Sequence, residues 1–297
     1  MKSGYLSLTF IFLSLSFFSS CNKDASYADL PEFNEKIVIN AFLSPDQAEN
    51  KIFVSWTRPR FGELKEMETE RNPSLLLYEN SKEVHLDTIR ENWGHNAGWF
   101  FYIRNFNFKE GLAYHLKVIN DLGQEAEATC KIPLKRDFKI SLDTVFSKTT
   151  DDFGYTSTTL IVKPSIIDFP GETNYYRILY LFNLYIHGDQ FPLHLHLDEG
   201  DKMHNDIGSE GGKIFLRPVK IPSGFLDWGF YGKPDSCLLT IYLLNTDKPY
   251  NDFHVSLNNY SAGDTPFTEA SLSYSNVLGG LGIFASYVVD SVVYRLK

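Results

Sequence analysis

Short β-type runs, each closed by turn chemistry, constrain this chain more than any other feature. Seven follow one another between residues 36 and 132: Lys36–Leu43, Lys51–Arg58, Ser74–Tyr78, Val84–Ile89, Gly98–Arg104, Leu112–Ile119 and Glu125–Ile132. Tyr114, Leu116 and Val118 alternate with His115, Lys117 and Ile119, the period-two pattern of a strand with one buried face. Asn80-Ser81, Lys109-Glu110-Gly111 and Asn120-Asp121-Leu122-Gly123 supply the turns between runs. This pattern predicts an immunoglobulin-like β-sandwich over residues 36–135. The Cys–Trp–Cys signature of antibody domains is absent from the sequence, so only the architecture is expected.

Pro133-Leu134-Lys135-Arg136-Asp137 reads as a junction. Beyond it the strand-like runs are Phe138–Phe146, Tyr155–Ile166, Asn174–Ile186, Lys213–Val219, Cys237–Asn245 and Leu281–Tyr294. They predict a second, mainly β domain over residues 138–297. One helix is expected around Asp247–Ser261, where Tyr250, Phe253, Leu257 and Tyr260 recur at spacings of three and four. Pro249 suits the first turn of that helix. Strands do not alternate with long helices, which excludes a doubly wound α/β fold. The expected class is all-β.

The N-terminus carries a different signal. Lys2 precedes the apolar stretch Leu6–Phe18, and the small pair Ser19–Ser20 leads into Cys21. A basic start, a short apolar core and small residues before a cut site describe a secretory leader. A cysteine just after the cut makes it a lipoprotein leader, although Phe18 stands where Leu is usual. Residues 1–20 are therefore expected to be a signal peptide, Cys21 the lipidated residue, and 21–35 a tether. The stretch is too short and too serine-rich for a spanning helix, which needs ~20 mostly apolar residues. Asn22 lacks the acidic retention signal for the inner membrane, and Lys23-Asp24 resembles a weak surface-export signal. The expected location is the outer membrane, lipid-anchored, with the surface-facing and periplasm-facing orientations both open. The formal charge is −9, which argues against nucleic-acid partners, since these want a basic face.

Three blocks carry a family resemblance. The first is Lys36-Ile37-Val38-Ile39-Asn40-Ala41-Phe42-Leu43-Ser44-Pro45. The second is Asp168-Phe169-Pro170-Gly171-Glu172-Thr173-Asn174-Tyr175-Tyr176-Arg177. The third runs from Pro266-Phe267-Thr268-Glu269 to Ser275-Asn276-Val277-Leu278-Gly279-Gly280-Leu281-Gly282-Ile283-Phe284. Together they resemble the Bacteroidota outer-membrane lipoproteins catalogued as domain of unknown function 4249. Val277-Leu278 departs from the family's usual Ile-Glu. The resemblance implies no catalytic residues. It implies a partnership with a TonB-dependent outer-membrane transporter in nutrient uptake, with a structural or adhesive envelope module as the alternative.

Chemical motifs are sparse. Gly280-x-Gly282-x-x-Ala285 fits a dinucleotide fingerprint in form, but too few residues follow for the required helix, strand and acid. The sequence holds no G-x-S-x-G elbow and no H-E-x-x-H. No enzyme activity and no cofactor beyond the lipid on Cys21 are expected. His194 and His196, two apart on a strand, form a candidate metal set with Asp198 and His204. The bland reading is a solvent-facing hairpin edge alternating with Phe191, Leu193, Leu195 and Leu197. Cys130 and Cys237 fall in phase with apolar neighbours and read as buried free thiols. Trp93 and Trp228 sit in polar, glycine-bearing loops and are the candidate ligand or partner contacts.

Overall fold

Every second residue of β1 (Ile37–Leu43) is sealed from solvent, and its neighbours Val38, Asn40 and Phe42 are not. β2 (Asn50–Trp56) alternates in the same way. The period-two sequence thus becomes a sheet with one apolar face. This computed structural model describes residues 34–58, 72–92, 98–150, 152–154, 156–194, 202–207, 211–227, 232–262 and 273–296.

β1, β2, β6 (Trp99–Arg104) and β5 (Asp87–Asn92) form one layer in that order. β4 (Lys82–Val84), β3 (Ser74–Glu79), β7 (Ala113–Ile119) and β8 (Glu125–Lys131) form the facing layer. Ile39, Val54, Leu77, Leu116 and Cys130 are among the residues of the core between them. The expected run Val84–Ile89 is two strands, not one. β4 pairs with β3 in one layer and β5 with β6 in the other, so the chain changes sheets at His85-Leu86. Leu86 packs on the core at this crossing. No Gly or Pro marks the change, which is why the sequence reads through it.

The second half builds another sandwich. β9 (Ser141–Thr150), β10 (Thr156–Ile167), β14 (Lys213–Phe215) and β15 (Val219–Pro222) form its outer sheet. β14 and β15 were expected as one strand. Pro218 lies between them, where a missing N–H ends a ladder. β11 (Tyr175–Ile186) packs against this sheet with its neighbours β12 (Asp189–His194), β13 (Met203–Asn205) and β16 (Ser236–Thr246). Tyr176, Ile178, Phe182, Cys237, Leu239 and Ile241 are buried in the second core.

β17 (Leu281–Arg295) joins the two halves. Its residues Leu281–Ser286 run parallel to β1, and Tyr287–Arg295 run antiparallel to β16. The result is a nine-stranded sheet, ordered β12-β11-β16-β17-β1-β2-β6-β5 with β13 also on β11. The cores divide between Ile132 and Phe138, where a junction was expected, but the shared sheet crosses it. Glu35–Lys297 is one compact unit. Two helices lie wholly within the described residues, the short α1 (Ser223–Asp227) and α2 (Lys248–Ala262). α2 falls within one residue of the helix expected from spacing. It lies over the centre of the long sheet, with Tyr250 against Leu244, Ile283 and Ala285.

Candidate functional site

The three sequence blocks do structural work. The first and third are β1 and the start of β17, side by side in a parallel ladder. Asn276 clamps the second member: its Oδ1 accepts from Phe284 N at 3.0 Å and its Nδ2 donates to Phe284 O at 2.7 Å. The central block folds into a buried polar knot. Asp168 accepts from Tyr176 Oη at 2.6 Å, Gly211 N at 3.0 Å and Asn174 Nδ2 at 3.3 Å. Asp206 accepts from Asn174 N at 2.8 Å. Asp168, Asn174, Tyr176 and Asp206 are all buried. Burial and the Asp168 bond push the Tyr176 phenol far up, so it remains a donor. Tyr175, next along β11, faces the other side and is half-buried.

A second buried acid caps α2. Asp247 Oδ1 accepts from Tyr250 N at 3.0 Å, a helix N-cap. Its Oδ2 accepts from Ser286 Oγ at 2.9 Å on β17. Burial raises the Asp247 carboxyl from 3.8 to about 6, against the lowering effect of these donors. Between those values the folded chain holds a proton that the unfolded chain has released. Stability from this group is therefore full below 3.8 and is lost as pH rises through about 6. Asp247→Asn should flatten that part of the profile. The difference between wild type and variant, by urea denaturation from pH 4 to 7, should amount to on the order of 2–3 kcal/mol. Identical slopes would refute the assignment.

The outer face of the long sheet is unlike its inner one. α2 covers it over β17, β11 and the Leu244 end of β16. Over β1, β2 and β6 the outward positions carry aromatic rings, with β5 beside them. Asn40, Phe53, Phe100 and Glu91 stand in one cross-strand row, and Lys51, Tyr102 and Ile89 in the next. Phe53 and Phe100 lie 4.7 Å apart at 38°, and Phe100 and Tyr102 lie 6.0 Å apart. The Lys51 ammonium sits 5.1 Å above the Tyr102 ring. Asn40, Phe42, Lys51, Phe53, Phe100 and Tyr287 line an open groove of ≈ 400 Å³ here. Gln47 closes one side, its Nε2 donating to Tyr287 Oη. Burial pushes the Tyr287 phenol up to about 12, so it stays neutral. A second depression of ≈ 590 Å³ lies by Tyr78, Asn80 and His115 on the other layer. His115 there is engaged by Glu127 at 3.2 Å.

A family model described as "Domain of unknown function (DUF4249)" matches residues 24–292. The chain belongs to the DUF4249 family. No curated protein matches it. Among solved structures, a "Biofilm associated protein - BSP domain" aligns at 8% identity over 86% of the chain, with a TM-score of 0.18. The chain spans 58% of that structure's length, and a score this low fixes neither fold nor function.

The sequence-predicted site residues of this DUF4249 chain fall in scattered places. Cys21, Trp93, His196, Asp198 and Trp228 lie outside the described residues. His194 ends β12 opposite Leu181, and His204 on β13 stands opposite Tyr176. Five residues of β11 separate those register positions, ~17 Å at the rise of a strand. His204 Nε2 accepts the Arg217 N–H at 3.3 Å. Cys130 and Cys237 are buried thiols not joined in a disulfide, one in each core. Trp56 is buried, and Trp99 carries Arg90 over its ring at 4.2 Å. The aromatic groove escaped sequence reasoning because it draws on four strands distant in sequence. Its one local trace was Phe53 and Lys51 at outward positions of an alternating run.

Proposed function

We propose that this DUF4249 protein is a non-enzymatic envelope lipoprotein that binds a ligand on the aromatic face of its long sheet. In this reading Cys21 carries the lipid anchor, and the body works beside a TonB-dependent outer-membrane transporter in uptake. The aromatic groove on β1, β2 and β6 is the observation that carries it: aromatic rings at outward positions, bordered by an amide and an ammonium. Buried carboxylates elsewhere are engaged by the Tyr176 and Ser286 hydroxyls and the Asn174 backbone N–H, which supports binding rather than catalysis. Tethering raises the local concentration of receptor beside its transporter, so modest affinity suffices. A lipid anchor holds a protein through about 0.8 kcal/mol per buried methylene, so several chains hold it durably.

Cys21→Ser should move the protein from the membrane to the soluble fraction, with loss of the acyl mass from the N-terminal peptide. Retention in the membrane would refute the anchor. A mild-detergent pull-down from native membranes should bring down a β-barrel transporter. Cell-wall polymer in its place would favour the structural or adhesive alternative. That alternative draws support from the β9–β10 hairpin, where Phe146 is 63% and Phe153 87% exposed.

A further inference from the structure

We propose that the aromatic groove takes a saccharide bearing a carboxylate, a sugar of the uronic-acid class. This rests on the reading that the groove is a ligand site. The Phe53 and Phe100 rings, tilted by 38° and 4.7 Å apart, offer adjoining apolar surface to the C–H faces of pyranose rings. The groove's ≈ 400 Å³ lies low in the range of ligand clefts, roughly 300–1,000 Å³. Asn40, exposed on the groove floor, makes no side-chain hydrogen bond among the described residues. Its amide both donates and accepts, which matches vicinal hydroxyls.

Charge selects the acidic sugar. Lys51 is exposed, lines the groove and forms no ion pair among the described residues. Among the described residues, the carboxylates on and around this face each hold a partner. Glu91 accepts from Tyr102 Oη at 2.9 Å, Glu49 pairs with Arg104, and Asp46 pairs with Lys135. On a chain of formal charge −9, an ammonium with no ion pair among the described residues, over the Tyr102 ring and beside the tilted Phe53–Phe100 pair, is a local exception that complements an anion.

The test uses the full-length protein, a trigalacturonate probe, and its neutral galactose counterpart of equal length. Titration calorimetry should show the acidic probe binding at least tenfold tighter, with affinity falling as salt rises. Lys51→Gln should abolish the preference and the salt dependence while weak binding of both probes remains. Phe53→Ala should weaken both probes at least tenfold. Phe100→Leu, which keeps apolar bulk but removes the flat ring, should do the same with an unchanged melting temperature. Equal binding of the two probes by wild type, or tight binding of an acidic hexapeptide control, overturns the sugar-acid assignment. If neither saccharide binds but Phe53→Ala still reduces membrane pull-down of the partner, the saccharide class fails and the groove stands. If Phe53→Ala changes nothing, both fail.

Discussion

Gly282→Ala should cost the fold about 3–5 kcal/mol, a large part of the 5–15 kcal/mol that typical domains possess. Gly282 adopts φ +106, a region L side chains rarely enter. A Cβ there would stand 2.0 Å from Ile39 O and 2.9 Å from Ile39 C. Those are backbone atoms of β1, the strand that pairs with Gly282 in the parallel ladder. They cannot move aside without opening the seam between the two sandwiches. Gly123→Ala separates strain from collision, because Gly123 has φ +74 and nothing within 4 Å of its added Cβ. It should cost about 1 kcal/mol. Urea denaturation of both variants checks this. Equal losses would mean that the close approach contributes nothing.

Asp168→Ala should have the next largest effect, a loss of about 3–5 kcal/mol by the same measurement. Three donors converge on this carboxylate: the Tyr176 phenol, the Gly211 amide and the Asn174 side chain. The site is sealed from bulk solvent, with Asp168 3% exposed and Tyr176 0%. Truncation takes the acceptor from the Tyr176 phenol and the Gly211 amide, at about 1–3 kcal/mol for each buried group left unsatisfied and less than additively, while Asn174 Nδ2 keeps Glu172 O and Phe169 O. Tyr176→Phe removes one donor and leaves the carboxylate its other two, so it should cost about 1–2 kcal/mol. In the double variant the tyrosine change should add little, since its partner is already gone. A loss below about 1 kcal/mol for Asp168→Ala would show that the knot does not hold the turn before β11.

Much of the scaffold was legible. Alternation located β1, β2, β7 and β8 to within a residue or two, because each has one face in a core and the other toward solvent. Tyr250 and its helical neighbours located α2, since a helix on a sheet needs only one apolar stripe. The run Val84–Ile89 misled because a strand that changes sheets keeps its β-type composition on both sides of the crossing. The groove was hidden for a related reason: Phe53 and Phe100 are 47 positions apart, and only register sets them face to face.

The amino-acid order alone determined the all-β class, the family and the position of the helix, because period, turn residues and motif blocks are local properties. Only tertiary pairing decided that β17 would begin beside β1 and continue beside β16. That choice depends on glycines meeting the backbone of a strand more than 240 positions earlier. It turns two sandwiches into neighbours on one sheet, and it leaves the outward rings of β1, β2 and β6 in a row beside the helix that covers the rest.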